Sequence, residues 1–393
     1  MRVGLFAPWL ADRVSGGDRY VYALAEVLLE EHEVDIISLF PVQVHEVGRE
    51  LGFHIERAGV RAMHESRTRF FRYLDSVPSR HLYRDLYIAR DAMWVSRAYD
   101  LFFAQHFMSL SPARARRNVL ICQFPHERVS WRHFVTRPQF WPYMALRYGW
   151  ARPELGSYHR IVCYSEYSRA WIRKRWQAEA VVICPPVPVP PPPNRRKECV
   201  IVSVGRFFAR GYDKSHSVQI EAFRNLYETG LRGWELHMVG SRHYEDAVDR
   251  EYYDDLVRRA RGLPVHFHPD IAQPELEELL DRAAIFWHSA GYGHDLAAAP
   301  ENAEHFGMAT VEAMGHAIVP IVMAAGGQVE IVRDRIDGHL WSTLDELVEK
   351  TRAVAVNDAR RGKYAASARR RAVTFSPERF GEEIRGLVEK LAV

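Results

Sequence analysis

Apolar residues come along this chain in short runs that alternate with stretches of helical periodicity. Residues 3–7 are a compact apolar run. After a loop at 8–18, Tyr20, Val21, Leu24, Val27 and Leu28 recur at helical spacing, and residues 33–40 form a second strand-like run. Strand, glycine-bearing turn, helix and strand open a βαβ unit, which predicts a parallel, doubly wound sheet. Buried strands are predicted again at 100–104, 119–124 and 160–164. A helix follows at 167–176 with Ser165 as its N-cap, then a short strand at 181–184.

Residues 185–197 read PPVPVPPPPNRRK. Prolines at this density cannot occupy a helix interior or a central strand, so the segment is expected to be a stiff, extended spacer. Beyond it the rhythm restarts. Strands are predicted at 199–204, 234–239, 265–268 and 285–288, and helices at 218–227 and 275–284. A long glycine-containing loop, 289–304, runs into a helix at about 309–315 and a strand at 317–323. Thr343 and Glu346 form a capping box for a helix starting at Leu344. Phe375-Ser376-Pro377 announces a last helix: Ser376 caps it, Pro377 takes its first position, and Phe375 is placed to staple to Phe380. The expected organisation is an α/β domain at 1–184, a proline hinge at 185–198 and a second α/β domain at 199–374, with the terminal helix, 375–393, docking back on the first domain.

Composition narrows the class. At 393 residues the chain is long for one core, which agrees with two domains. A net charge of +3 demands neither nucleic acid nor an acidic partner. Cys122, Cys163, Cys184 and Cys199 lie far apart with no CxxC or Cys/His ligand spacing, so a reduced, cytoplasmic protein is expected. The start, MRVGLFAPWLADR, resembles a first strand more than a signal peptide, and no stretch approaches the roughly 20 apolar residues of a spanning helix.

Candidate chemistry gathers where strands end, because open α/β sheets bind ligands at the carboxyl ends of their strands. In the first half these positions hold Gly16-Gly17, His106, Gln123 and His126. Two adjacent glycines are not a GxGxxG fingerprint, so no dinucleotide site is indicated; they are either a plain turn or a place where backbone approaches a bulky ligand closely. In the second half, Arg206 and Lys214 follow the first strand, and Arg and Lys are suited to phosphate. Glu304 and Glu312 flank the junction His305-Phe306-Gly307-Met308, where exposed amides and a helix dipole could hold an anion. No Asp-rich motif for Mg²⁺ stands beside them. Two stretches stay open. Residues 61–97, with Arg69, Arg72 and Arg80, read either as an amphipathic helix pair with a solvated basic face or as a surface for an anionic acceptor or membrane. Residues 129–150, with Trp131, Trp141 and Trp150, read as an acceptor pocket, a membrane-contact surface or ordinary packing.

The second half resembles a retaining glycosyltransferase of family 4, with the GT-B fold, through VSVGRFFARGYDKSHSVQIEAF, WELHMVGS and the block EHFGMATVEAM, which holds two glutamates separated by seven residues. The first half is similar at the GG loop, at ICQFP and at YHRIVCYSEYSRAWI…ICPPV, and weakest at 41–98. The resemblance implies an α/β fold of two Rossmann-like doubly wound domains facing across a cleft. It implies transfer of a sugar from a nucleotide-diphosphate sugar to a carbohydrate or lipid-linked acceptor with retention, without metal or other cofactor and without nucleic acid. Arg206 and Lys214 would hold the diphosphate, Glu312 the ribose, and Glu304 the donor sugar with the backbone of Phe306, Gly307 and Met308 nearby. Gly16 and Gly17 would close over the phosphates. Where members often carry a histidine, this chain has Gln123, so either His126 or Gln123 fills that role; Gln123 and His106 are expected on the acceptor side. Peripheral contact of the first domain with the inner face of a membrane is a further expectation. The other readings are another GT-B activity, such as a nucleotide-sugar epimerase or a phosphorylase, whose pyridoxal lysine motif is not found, and a non-catalytic homologue that binds a nucleotide sugar or scaffolds a partner.

Overall fold

A computed structural model describes residues 1–10, 16–65, 80–106, 111–125, 155–192, 195–209, 213–242 and 247–392. The chain divides into two compact units, Met1–Pro186 with Glu378–Val393, and Val187–Pro377.

The first unit holds β1 (Arg2–Phe6), β2 (Glu33–Ser38), β3 (Gly59–Ala62), β4 (Leu101–His106), β5 (Arg117–Cys122), β6 (Arg160–Cys163) and β7 (Val181–Val182). They form one parallel sheet in the order β3-β2-β1-β4-β5-β6-β7. The second unit holds β8 (Val200–Val204), β9 (Glu235–Gly240), β10 (Val265–Pro269), β11 (Ile285–His288), β12 (Val319–Met323) and β13 (His339–Trp341), parallel in the order β10-β9-β8-β11-β12-β13. Counted from its own first strand, each sheet begins 3-2-1-4-5-6, the doubly wound order. The order reverses between β1 and β4 in the first sheet and between β8 and β11 in the second. A ligand crevice is expected outside the strand ends at such a reversal.

The central strands are apolar runs because helices cover both faces of a parallel sheet. In the second unit Ile201, Leu236, Met238, Trp287 and Trp341 from the sheet pack with Phe223 and Leu226 of the helix His216–Glu228. In the first, Phe6, Phe102, Leu120 and Cys163 pack with Ile172 and Trp176 of the helix Glu166–Trp176. Ser165 caps that helix, accepting a hydrogen bond from the Ser168 amide at 3.1 Å. Thr343 accepts from the Glu346 amide at 3.3 Å, while the Glu346 carboxylate reaches one residue further back than a capping box requires, to the Ser342 amide at 2.8 Å.

The terminal helix, Pro377–Ala392, belongs to the first unit through Phe380, Ile384, Leu387, Val388 and Leu391, a buried stripe at helical spacing. Phe380 sets its edge against Tyr20 at 5.1 Å, and Arg117 donates to the Leu391 carbonyl at 2.8 Å. Phe375 is engaged elsewhere, edge-on to Phe306 of the second unit at 5.6 Å. The proline run is also not a free spacer after Pro186. The Val187 amide donates to the Phe375 carbonyl at 2.9 Å and Arg369 donates to the carbonyls of Pro190 and Gly315, so residues 187–190 lie against the second unit. Strand β3 and the helices Val44–Glu50, Ala247–Arg259 and Asp358–Ala372 carry too few apolar positions to show in the hydrophobic pattern; in Asp358–Ala372 the buried residues are Ala368 and Ala372.

Candidate functional site

The chemistry of the second unit collects at its order reversal. Strand β8 ends at Val204, and Gly205 follows with its amide bonded to the Val239 carbonyl at 2.8 Å. Gly240 lies so close that a Cβ on it would strike the Gly205 carbonyl oxygen. A Cβ on Gly205 would sit 2.8 Å from Cγ of Lys214, so the lysine stem lies over a position only glycine leaves open. The Lys214 carbonyl is held from the neighbouring strand end by Ser289, whose hydroxyl donates to it at 2.6 Å and accepts from Gln219 at 2.8 Å. Asp213 accepts from the Ser215 amide at 2.9 Å and from the Tyr252 hydroxyl at 2.8 Å. The loop carrying Lys214 is therefore tied on three sides.

Lys214 points its ammonium at Glu304, Nζ to Oε2 2.6 Å, and His288 at the end of β11 donates from Nε2 to the same oxygen at 2.9 Å. The two ion-pair side chains are about one-fifth exposed (20% and 21%), so the pair is neither deeply buried nor freely solvated. Burial by itself would raise the Glu304 pKa, but the Lys214 charge and the His288 hydrogen bond outweigh it and hold the carboxyl well below the usual carboxylate range. Burial acts first on His288 too and lowers its pKa, so the neutral imidazole donates to the carboxylate. Its Nδ1 is buried without a hydrogen-bond partner.

The glycine pair after β12 fixes the other side of Glu304. The Gly327 amide donates to the Glu304 carbonyl at 2.7 Å, a Cβ on Gly326 would strike that carbonyl oxygen, and one on Gly327 would lie 2.6 Å from Phe306 Cα. The chain then turns at Gly307, φ +120°, into the helix Met308–Gly315. Its first amides have no partner within the helix and carry the positive end of its dipole. Glu312, half-buried, stands a little over one turn along it. Behind Gly307 lies Gln328, fully buried with neither end of its carboxamide hydrogen-bonded. A Cβ on Gly307 would meet its Nε2 at 2.6 Å, in a backbone conformation L-residues rarely adopt. Gly307→Ala is therefore expected to cost about 1–3 kcal/mol in a urea unfolding titration; an unchanged midpoint would contradict this geometry.

Arg206 is exposed, its guanidinium 4.9 Å from the centre of the Phe208 ring. With Lys214 and the helix start it places positive potential after β8 and before Met308, opposite a carboxylate that accepts hydrogen bonds. Lysine has three donors, so the ammonium can hold Glu304 and an anion together. The arrangement can bind a diphosphate and present a carboxylate to hydroxyls beside it. Sequence reasoning named Arg206, Lys214, Glu304 and Glu312 but missed His288 and Gln328. One histidine at a strand end and one glutamine after a glycine pair carry no signal until the fold brings them to Glu304 and Gly307.

In the first unit, Gly16 and Gly17 open the helix Gly16–Leu29 after β1. The Gly17 carbonyl accepts from Gln105 at 2.7 Å, and a Cβ on Gly17 would strike the Gln123 carboxamide, so the glycine pair and Gln123 are in contact. His106 does not stand where a ligand would be lined. It is buried within the sheet end with Nε2 bonded to the Ser111 hydroxyl at 2.7 Å, and burial lowers its pKa to about 3. His126, Arg69, Arg72 and the tryptophans at 131, 141 and 150 lie outside the described residues, as does the side chain of Arg80. No helix among the described residues is long and apolar enough to cross a membrane.

Comparison with known proteins finds relatives of both units. Residues 14–189 match the family model Glycosyltransferase Family 4, and residues 190–371 match Glycosyl transferases group 1. A GDP-Man:Man(3)GlcNAc(2)-PP-Dol alpha-1,2-mannosyltransferase of Dictyostelium discoideum is 24% identical over 251 residues, 58% of this chain and 46% of that protein. The chain thus spans under half the length of this curated relative. A glycosyltransferase from Rickettsia africae superposes with a TM-score of 0.67 at 15% identity, covering 100% of this chain and 98% of the other. HepE from Anabaena, solved in complex with UDP and glucose, superposes at 0.66 and 15% identity over 100% of both chains.

Proposed function

The chain belongs to the family 4 glycosyltransferases and has their GT-B fold, and on that premise we propose that it moves a hexose from a nucleotide-diphosphate sugar to a carbohydrate or lipid-linked acceptor with retention at the anomeric carbon. The observation that carries the reading is the Lys214–Glu304–His288 cluster set against the start of the Met308 helix. In this reading Lys214 and Arg206 neutralise the diphosphate as it departs, the amides of Phe306 to Met308 add to that field, and Glu312 accepts from the ribose hydroxyls. Glu304, ionised and oriented by Lys214 and His288, accepts from a hydroxyl of the donor sugar. Same-face attack follows, with the departing phosphate taking the acceptor proton, so no second carboxylate is required as in a hydrolase.

Two fixed cations and a helix dipole supply the charge that a divalent ion would otherwise bring, so transfer is expected to proceed without metal. In the same reading Gly16 and Gly17 belong to donor binding, either Gln123 or His126 fills the role of the family's histidine, and the first unit takes the acceptor, with Gln123 on that side. HepE was solved with UDP-glucose and the Dictyostelium relative is named for a dolichol-linked acceptor. These support a nucleotide sugar as donor and a lipid-linked saccharide as one class of acceptor; peripheral contact with the inner face of a membrane is the part of the proposal that would bring such an acceptor within reach. Incubation with UDP-, GDP- and ADP-sugars and an acceptor panel is expected to release free nucleotide from at least one donor, equally with and without EDTA. The new linkage, read by the anomeric coupling in proton NMR, is expected to keep the donor's configuration. Inversion, or loss of turnover in EDTA, would overturn the corresponding part of the proposal.

A further inference from the structure

A second cluster of ligand-bearing side chains lies in the second unit, on strands β9 and β10. Residues two apart on a strand share a face, which puts Glu235 with His237 on β9 and His266 with His268 on β10. The parallel register pairs His266 with His237. One ligand atom each from Glu235, His237 and His266 all fall within 4.8 Å of one another. The Glu235 carboxylate is 3.1 Å from Nε2 of His237 and 3.6 Å from Nε2 of His266. The His237 and His266 rings are 4.7 Å apart, and the His268 ring lies nearly parallel to that of His237, with centroids 5.0 Å apart and 9° between the planes. His237 is buried, whereas Glu235 and His266 are about half exposed, so the cluster opens to solvent on one side. Arg282, whose charge acts on Glu235 and His237, is held by Glu198 at 2.9 Å.

We propose that Glu235, His237 and His266 bind one first-row divalent transition cation, with Zn²⁺ the ion the donor set suits, and that His268 is the outer hydrogen-bond partner that fixes His237. Two imidazole nitrogens and one carboxylate oxygen with an open side are a zinc-type donor set. Histidine ligands characteristically donate their second ring N–H to a neighbour. Here Nδ1 of His237 is 2.9 Å from Nε2 of His268. Without metal, His237 Nε2–H donates to Glu235 and Nδ1 accepts from His268. On binding, the His237 proton moves to Nδ1, that hydrogen bond reverses, and the His268 proton moves to its own Nδ1, so no proton is gained or lost.

Among the described residues β10 is the edge strand of its sheet and pairs with β9 alone. A cation bridging Glu235, His237 and His266 therefore clamps the edge to its neighbour. Its ligands sit towards the amino ends of these strands, while Lys214 and Glu304 follow strand ends on the carboxyl side, so the cation takes no part in transfer.

Competition between the full-length protein and a chromophoric chelator for Zn²⁺ tests this. One equivalent is expected to bind more tightly than any other. Glu235→Gln and His266→Ala should each weaken it at least about tenfold and together remove it, with circular dichroism unchanged because both side chains are half exposed. His268→Ala should keep the stoichiometry and weaken binding about tenfold. Donor binding should be unaltered in all three, which separates this site from the transferase reading. An unchanged tight equivalent in the double variant, or no tight equivalent in the natural protein, would overturn the proposal.

Discussion

Lys214→Met is expected to lower kcat/KM for the nucleotide sugar by about 10²- to 10³-fold, the loss that follows removal of one preorganised donor from a developing anion. Methionine keeps the stem that lies over Gly205, so the substitution removes charge and little packing. It also leaves Glu304 with His288 alone. Without the ammonium, burial is no longer outweighed as strongly, and the carboxyl pKa should rise. The variant should consequently lose activity further as the pH is lowered, where the natural protein does not. Steady-state kinetics across pH check both effects. A Lys214→Met enzyme with undiminished kcat/KM would remove Lys214 from the site.

Glu304→Gln carries the second large effect. The amide is nearly isosteric but gives up the charge-assisted hydrogen bond to Lys214 and the one proposed to a donor hydroxyl, each worth about 1.5–3 kcal/mol. A fall of about 10- to 10²-fold in kcat/KM is expected, with a lower unfolding midpoint at neutral pH. The sign with pH follows from the direction of the shift. The folded-state pKa of Glu304 lies below its unfolded value, so its contribution is fully present above the ordinary carboxylate range and is lost as the pH falls through the folded value. Natural protein and variant should therefore converge in stability in acid and diverge on the way to neutrality. Parallel stability curves from about pH 3 to 7 would show that Glu304 carries no such linkage.

Much of this was legible in the chain because two kinds of pattern survive without coordinates. Buried parallel strands are uninterrupted apolar runs, so most strands of both sheets could be read, among them residues 3–7, 33–40, 199–204 and 285–288 to within a residue or two, whereas the edge strands β3 and β13 could not. Residue type at strand ends then pointed to Arg206, Lys214 and Glu304. What stayed hidden depends on register or on distant packing. His288 becomes a partner of Glu304 only because β11 ends beside the loop that returns to it. Gly326 and Gly327 are only a glycine pair in the sequence, and the fold shows that they let backbone pack on residues 304–306. His106 has the sequence position of a ligand but turns into the sheet end towards Ser111, which periodicity cannot resolve for a strand buried on both faces. The Glu235, His237 and His266 cluster needs the parallel pairing of two strands some thirty residues apart, which no local pattern encodes.

The central claim is that the second unit grips a nucleoside diphosphate through Lys214 beside Glu304. Calorimetric titration of the full-length protein with UDP, GDP and ADP, in EDTA, tests it most directly. At least one should bind the natural protein with one-to-one stoichiometry, and its affinity should fall by at least about tenfold in Lys214→Met. Binding of none of the three, or equal affinity in the variant, would contradict it.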